Sequence, residues 1–411
     1  MDVVYDRAVG IDISKRDAKV CVRLPGQQAG TFTTTVTTWG STTNQILALR
    51  EFLEAQKVSV VVMESTSDYW KPFYYLLEES LPVLLVNAKN ARNIPGRKTD
   101  VSYAQWLAQL AAYGLLRASF VPPEPIRVLR DLTRARALTV QDRTRQIQRL
   151  EKFLESSGIK LSFVVSNLLG VSSRMMLDAL VAGERDPQVL SALVQRRLKA
   201  KIPELIEALN GRFTAHHAMM VRAHLKQIDT FTECIDAFTL EIEAAMEPFQ
   251  AARDALETIP GISTRIAEVI IAETGGDMGV FPTAGHLASW AGVCPGSNES
   301  AGRVTSSHIL PGNKHLKAAL GIAAMAAAHS KTSYLAVKYR RIAARRGPMK
   351  AVVALEHTIL TAVWNMLTTG EIYQDLELDH YTSLNPDRLK NRALKQLHNL
   401  GYEVTITHAA A

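Results

Sequence analysis

Three carboxylates set in unlike surroundings are the residues of this chain best suited to chemistry. Asp12 stands at or near the end of an apolar run that begins at Val3, Glu64 follows the run Val58 to Met63, and Asp100 closes the polar segment Gly96-Arg97-Lys98-Thr99. Carboxylates drawn from separate elements can share one divalent cation. Mg2+ takes oxygen ligands in octahedral geometry and keeps waters that a phosphate can displace. Held there, it polarises a phosphoryl oxygen and orients or activates the attacking group. A lone acid is more often a cap or a surface charge. Asp12 and Glu64 stand out because each ends a segment that reads as a buried strand. A second chemistry is nucleophilic. Ser297, Ser300, Ser306 and Ser307 fall in a polar stretch, with Gly302 permitting close backbone approach and Arg303 beside it. A serine hydroxyl that attacks phosphorus becomes joined to a strand end and conserves the phosphodiester energy, so strands can be rejoined without ATP. Composition does not choose among these serines, and loop serines are mostly structural.

Asp12 and Glu64 need a sheet to bring them together. Residues 3–10 lead into Ile11-Asp12-Ile13 as a first strand. Ala18, Val20, Val22 and Leu24 alternate with period 2 and predict a second, and Thr31 to Thr37 is rich in β-branched residues and predicts a third. The period then changes. Ser41 or Thr42 can cap a helix with Ile46, Leu47, Leu49, Phe52 and Leu53 on its apolar side. Val58 to Met63 fits a strand buried on both faces. A helix containing Trp70, Phe73 and Leu77 follows, then a strand over Pro82 to Val86 and a helix from about Ala104 through Tyr113. Asp100, near the start of that last helix, can face back to the sheet. Three strands, helix, strand, helix, strand is the order of an RNase H-like domain. That fold carries one acid on the first strand and another at the end of the fourth, which lies beside it.

The 411 residues suggest two or three domains. With 47% hydrophobic and 21% charged residues the chain can bury a sizeable core, which excludes wholesale disorder. Its net charge of +7 favours an anionic partner. Cys21, Cys234 and Cys294 are far apart in sequence, which argues against a zinc finger or a disulfide framework. No apolar run reaches the roughly 18 residues of a membrane span, and the first residues lack a signal-peptide pattern. A cytoplasmic protein, associated with the bacterial nucleoid, is the expectation. Ala318 to Ala328, short and rich in Ala, suits a tightly packed helix.

Pro122, Pro123 and Pro125 mark a boundary. Beyond it Arg127, Arg130, Arg134, Arg136, Arg143, Arg145 and Arg149 are spread over about six turns of helix, with Leu129, Leu132, Ile147 and Leu150 as an apolar seam. Either these arginines contact phosphates, which suit the guanidinium fork, or they form a solvated face with salt bridges to Asp131, Asp142 and Glu151. Residues 160–255 read as helical, with core spacing at Leu190, Leu193 and Val194 and at Leu225, Ile228, Phe231 and Ile235. A long helical pair or coiled coil used for dimerisation fits them. Pro260-Gly261-Ile262 joins two helical patterns, either as ordinary punctuation or as a helix-hairpin-helix turn whose amides hold a phosphate. Lys338, Arg340, Arg341, Arg345, Arg346 and Lys350 form the densest positive stretch, read as a nucleic-acid contact or as a solvated face.

Taken in order, Gly10-Ile11-Asp12-Ile13-Ser14-Lys15, Met63-Glu64-Ser65-Thr66 and Arg97-Lys98-Thr99-Asp100 resemble the N-terminal motifs of the Piv-type DEDD transposases, the IS-one-ten family of insertion sequences. Ile259-Pro260-Gly261-Ile262, Phe281-Pro282, Leu287 to Val293, Pro295, Asn298-Glu299-Ser300-Ala301-Gly302 and Gly312-Asn313-Lys314-His315-Leu316 resemble that family's C-terminal motifs. Any one motif is weak; the ordered set is specific. The resemblance implies a RuvC-like metal site of Asp12, Glu64 and Asp100 and selects Ser300 as the nucleophile, with Ala301 as an extra or altered residue in its segment. It also implies Mg2+ as cofactor, double-stranded DNA and a structured guide RNA as partners, and a site completed in a homodimer or tetramer. One departure stands out. The fourth acid of the family falls three residues after Asp100, on the same helix face. Here that position is Tyr103, which removes a negative charge and a hard oxygen ligand and adds bulk.

The resulting expectation is an α/β domain followed by all-α regions. Residues 1–122 form an RNase H-like metal-binding domain, 123–254 a basic helical or coiled-coil region, 255–370 a helical transposase domain with the serine and a helix-hairpin-helix-like turn, and 371–411 a helical tail. Catalytic roles fall to Asp12, Glu64, Asp100 and Ser300. Nucleic-acid contacts fall to Arg127, Arg130, Arg134, Arg143, Arg303, Lys314, Arg340, Arg341, Arg345 and Arg346. The expected activity is DNA transposition by Mg2+-dependent serine attack on a phosphodiester, with no membrane involved. Two alternatives remain at this stage: a metal-dependent junction-resolving nuclease that uses water, and a catalytically weakened nucleic-acid-binding relative, favoured by Tyr103.

Overall fold

A computed structural model describes residues 3–28, 30–87, 102–296, 298–306, 308–331, 333–375 and 386–405. It divides into two compact units, Met1–Val121 and Pro122–Ala411.

The first unit is built on a five-stranded sheet of order β3-β2-β1-β4-β5. The strands are β1 Ala8–Ile13, β2 Asp17–Pro25, β3 Phe32–Gly40, β4 Val60–Glu64 and β5 Val83–Val86. The first strand starts later than the sequence predicts. Instead of extending the sheet, Val4 and Tyr5 donate their backbone N–H groups to the Ala112 carbonyl. β1 pairs antiparallel with β2 and parallel with β4, so it is central. β4 is buried at every residue, as a strand covered on both faces must be, and this is why it reads as one apolar run. Thr-rich β3 lies at the edge and is largely exposed.

Helices α1 (Thr43–Ala55) and α2 (Trp70–Leu77) cover one face. Their Ile46, Leu49, Leu53, Phe73 and Leu77 pack on Val9, Ile11, Val20, Val61 and Met63. Helix α3 (Tyr103–Ala112) covers the other face, where Leu107, Ala111 and Ala112 meet Ala8, Val60, Val62 and Val86. The approach is close. A Cβ on Gly10 would stand 2.2 Å from the Ala104 carbonyl oxygen and 2.4 Å from the Ala108 nitrogen. Only glycine lets the helix backbone lie this near the strand, and Ala104 and Ala108 are small enough to complete the contact beside Cys21.

Among the described residues the second unit is helical apart from one hairpin. α4 (Glu124–Ser156), started by Pro125 in its first turn, pairs along α9 (Ala215–Ala245). The pair is antiparallel: Arg143 meets Thr232 and Gln146 meets His224. The sequence places a long helical pair within residues 160–255, whereas here the partner of α9 is the arginine helix α4, which precedes that range. Between them the chain forms α5 (Leu161–Val164), α6 (Val171–Ala182), α7 (Pro187–Ala192) and α8 (Ile202–Leu209). Their apolar residues share one core with Leu150, Leu154, Leu225 and Ile228. The other end of α4 packs on α11 (Thr264–Thr274), which with α10 (Gln250–Glu257), α12 (Ala284–Ala291), α13 (Lys314–Ala328), α14 (Tyr334–Arg346) and α15 (Pro348–Thr369) makes a helical assembly. α16 (Pro386–Asn399) follows.

Ala-rich α13 packs as tightly as expected. A Cβ on Gly261, in the turn between α10 and α11, would stand 2.3 Å from the Ala323 carbonyl oxygen. Packing on α13 therefore accounts for the glycine in the Pro260-Gly261-Ile262 turn. α15 differs from expectation: among the described residues it is one helix long and apolar enough to cross a membrane. Lys350, Glu356 and His357 break its apolar run in sequence. Leu355, Ile359, Leu360 and Val363 are buried in this unit, where α15 packs on α12, α13 and α14, so it reads as a core helix.

Gly10→Ala is expected to force α3 off β1 and destabilise the first unit by about 1–3 kcal/mol, the usual range for overpacking. Chemical denaturation of the full chain, followed by the fluorescence of Trp39, Trp70 and Trp106, measures it.

Candidate active site

The pairing of β1 with β4 sets the first half of the site. Ile11 is the register partner of Met63, so the next residues, Asp12 and Glu64, lie side by side. Ile11 and Met63 point into the α1–α2 core. Alternation along each strand then turns Asp12 and Glu64 to the face that α3 covers. Neighbouring strands run about 4.8 Å apart, close enough for two carboxylates to share one cation. Glu64 is buried and Asp12 half-buried. Hard carboxylate oxygens of this kind suit a hard divalent ion. Asp100, the third predicted ligand, lies outside the described residues. Among those described, no group of three or more His, Cys, Asp or Glu side chains is arranged to hold a metal ion.

Tyr103 is the first residue of α3. Ser102 caps the helix: its Oγ accepts from the Gln105 N–H at 3.3 Å, and Gln105 Oε1 accepts from the Ser102 N–H at 3.0 Å. The cap fixes where Tyr103 leaves the helix, and its ring packs on the cluster of Ala8, Val62 and Leu107. The position that resembles a fourth acid therefore carries an aromatic seated in apolar surroundings.

Ser300 lies in the second unit. The sequence reads its segment as a polar loop, whereas the structure forms a hairpin of β6 (Asn298–Ser300) and β7 (Arg303–Ser306). Ser300 pairs directly with Arg303 across a two-residue turn. Ala301 and Gly302 both have positive φ, 50° and 75°, as the tight turn that matches strand twist requires. Directly paired residues project to the same side. An exposed hydroxyl and an exposed guanidinium thus share one face at the hairpin tip. A phosphate approaching Ser300 meets Arg303.

A buried ion-pair network elsewhere in the second unit was not legible in sequence. Glu273, at the end of α11, is fully buried. Arg134 donates to both its oxygens, Nε to Oε1 and a terminal nitrogen to Oε2, each at 2.7 Å. Asn313 Nδ2 donates to Oε2 at 2.7 Å. Arg130 donates to the Ala272 and Glu273 carbonyls at 3.0 and 2.8 Å. Asn313 Oδ1 in turn accepts from the N–H groups of His315 and Leu316, capping α13. Burial pushes the Glu273 carboxyl up, but the hydrogen bonds from Arg134 and Asn313 and the arginine charges outweigh it and hold it below the usual range. Burial, aided by the Arg134 charge, holds His315 below the usual imidazole range. Arg134, Trp290, Gly312, Asn313, Lys314 and His315 line a cavity of about 320 Å3 here. Two residues further along α4, buried Arg136 pairs with buried Glu268.

These contacts change the reading of the arginine helix. The acids that engage Arg130, Arg134 and Arg136 come from α11, more than 130 residues away, and not from Asp131 or Glu151. Asp142 does pair with Arg145 as the sequence suggests. Arg127 is half-buried, and half-buried Arg143 donates to Thr232 Oγ1 at 3.3 Å. Lys314 at the start of α13 and Arg340, Arg341, Arg345 and Arg346 on α14 are exposed.

Two changes probe this geometry. A carboxyl whose folded pKa lies below its unfolded value of about 4.3 stabilises the fold at higher pH, and the contribution fades as pH falls through the folded value. Glu273→Gln breaks a buried ion pair and is expected to cost about 3–5 kcal/mol at pH 7. The gap to the unaltered protein should narrow below about pH 4, as denaturant titrations across pH will reveal. Ala301→Gly should relieve about 1 kcal/mol of left-handed strain at the hairpin tip, detectable as faster-closing amide exchange protection at Ser300 and Arg303.

Residues 9–158 match a family model described as a transposase, of the DEDD type of IS110. Residues 253–340 match a second, described as the transposase family IS116/IS110/IS902. The chain is also 31% identical over 120 residues to the insertion element IS110 uncharacterized 43.6 kDa protein of Streptomyces coelicolor. That likeness spans 29% of this chain and 29% of the relative's length. The two family matches fall in chain order, take in Asp12, Glu64 and Ser300, and together cover more than half of the residues: the chain belongs to the IS110 family of transposases.

Proposed function

We propose that this chain is a DNA transposase that cuts and rejoins strands of double-stranded DNA by serine attack on a phosphodiester. The observation that carries this reading is the register that sets Asp12 beside Glu64 at the ends of two adjacent parallel strands, within the first of two transposase matches. The five-stranded order 3-2-1-4-5, with helices on both faces, is consistent with an RNase H-like domain.

In this mechanism Asp12 and Glu64, with Asp100, hold a divalent cation, Mg2+ by the chemistry of their oxygens. When bound, the ion would draw charge from a non-bridging phosphoryl oxygen. Ser300 Oγ forms a bond to phosphorus as the bond from phosphorus to one sugar oxygen breaks. The serine proton leaves to solvent or a neighbouring base, and the departing sugar oxygen takes one up. Arg303 neutralises the phosphate beside Ser300. Reversal with a different sugar oxygen joins a new strand and frees the serine. Residues 255–370 supply the serine, and 123–254 bind nucleic acid and pair subunits. A homodimer or tetramer that completes one site with acids and serine, and a structured guide RNA, are parts of the proposal carried by the motif resemblance alone. Arg127, Arg143, Lys314, Arg340, Arg341, Arg345 and Arg346 contact phosphates. Arg130 and Arg134, which engage the end of α11, are the remaining candidates for phosphate contact. Such a protein works in the cytoplasm, at the nucleoid.

One observation favours a second reading. Tyr103 occupies the fourth acid position and packs in an apolar cluster, as expected of a catalytically weakened, nucleic-acid-binding relative. Incubation with nicked DNA carrying an end sequence of the element, with Mg2+, separates the readings. An adduct that maps to Ser300, and is lost in Ser300→Ala and Asp12→Asn, supports the transposase. Cleavage that persists in Ser300→Ala means that water attacks. Neither adduct nor cleavage, with both gained in Tyr103→Asp, supports the weakened relative.

A further inference from the structure

A second cavity lies in the second unit, where the serine, the acids and the Glu273 network have no part. Its volume is about 610 Å3, and it opens between residues 164–173 and 195–201. Arg196, Arg197 and Lys201 line one side. Ser166, Asn167 and Val171 line the other, and no acidic residue contributes. The basic side is a short 3-10 helix, Arg196–Lys201, with four cations in six residues. Lys201 Nζ donates to the Val164 carbonyl at 3.1 Å, which ties the two sides together. Among the described residues none of Arg196, Arg197, Lys199 and Lys201 forms an ion pair. Clustered like charges repel one another, and this cluster lacks the interleaved acids that accompany the arginines of α4.

The neighbourhood of the cavity adds two features. Phe163, one residue before Val164, is 90% exposed. A bare aromatic ring in water is unfavourable and contributes nothing to the core beside it. α6, which starts at the cavity wall, has no side chain capping its first turn, so amide donors there are available to an anion. Cations along a groove, with an exposed ring one residue from its wall in sequence, supply the two halves of single-strand binding: phosphates track the charge, and an unpaired base stacks on the ring. An acidic peptide would satisfy the cations and leave Phe163 without a role. A duplex, whose bases are already stacked, would do the same.

We propose that this cavity binds an unpaired polynucleotide strand, with phosphates against Arg196, Arg197 and Lys201 and one base on Phe163. The site is separate from strand exchange, and Ser300→Ala leaves it intact.

The test uses the full chain with mixed-sequence oligonucleotides of about 20 residues, as RNA and as DNA, each carrying 5-iodouracil for photo-crosslinking. Trypsin releases Leu161–Arg174 as one peptide, and the crosslink is expected on it at Phe163. Arg196→Glu with Arg197→Glu should weaken single-strand binding at least about tenfold and lower the slope of log K against log salt by about 1.4, the value for two phosphates. Arg196→Lys with Arg197→Lys should keep the slope, and Phe163→Ala should lose the crosslink and about tenfold in affinity with the slope unchanged. These exposed substitutions should leave the thermal midpoint unchanged. A crosslink on one sugar type identifies which strand the site takes, and on both shows that the sugar is not read. The proposal is overturned if neither strand crosslinks to this peptide, if the charge reversal leaves the slope unchanged, if it weakens duplex binding equally, or if polyglutamate competes as well as the oligonucleotide.

Discussion

Glu273 is a full negative charge with no access to water, and that state exists only while its partners stay in place. Taking a carboxylate out of water is costly unless ion pairing and hydrogen bonds return what hydration gave. Arg134 returns it with a two-point contact, and Asn313 with a third hydrogen bond. The three groups come from α11, α4 and the start of α13, so one charge fixes three helices at once. Asn313 carries the constraint onward because the same side chain caps α13 with its other end. The segment that bears Ser300 leads directly into that cap.

Close backbone contact is the second constraint, and both units use it. Gly10 admits α3 against β1, and Gly261 admits the α10–α11 turn against α13. Gly292 and Gly312 interlock in the same way, since a Cβ on Gly312 would stand 2.2 Å from the Ala291 carbonyl oxygen. In each case a glycine faces a backbone that small residues have left accessible. Of these, Gly10 lies two residues before Asp12 and Gly312 immediately before Asn313. Motifs that look like short chemical signatures are thus partly packing signatures: the glycine brings in the element that shapes the site, and the polar neighbour works within it.

Charge in the second unit divides by surroundings and not by residue type. Arg134 and Arg136 lie on the same helix as Arg145 and Arg149, yet the first two meet acids of α11 while Arg145 pairs with its own neighbour Asp142. The arginines at the α11 end serve the fold first. Arg303 and, on α14, Arg340, Arg345 and Arg346 are exposed. Among the described residues the four cations of residues 196–201 form no ion pair.

By itself the sequence determined the elements and the candidate acids. Period 2 in Ala18 to Leu24, the unbroken apolar run before Glu64 and the helical spacing of Ile46, Leu49 and Leu53 are local consequences of burial, so β2, β4 and α1 could be read from them. Tertiary structure decided what depends on partners distant in the chain. Pairing of Ile11 with Met63 decided that Asp12 and Glu64 are neighbours on one face. Pairing of Ser300 with Arg303 turned a presumed loop into a hairpin. Glu273 could not be singled out among the 40 acidic residues, because a buried carboxylate and a solvated one are the same letter. Only the fold, by removing water from one and supplying donors from helices far along the chain, makes them different.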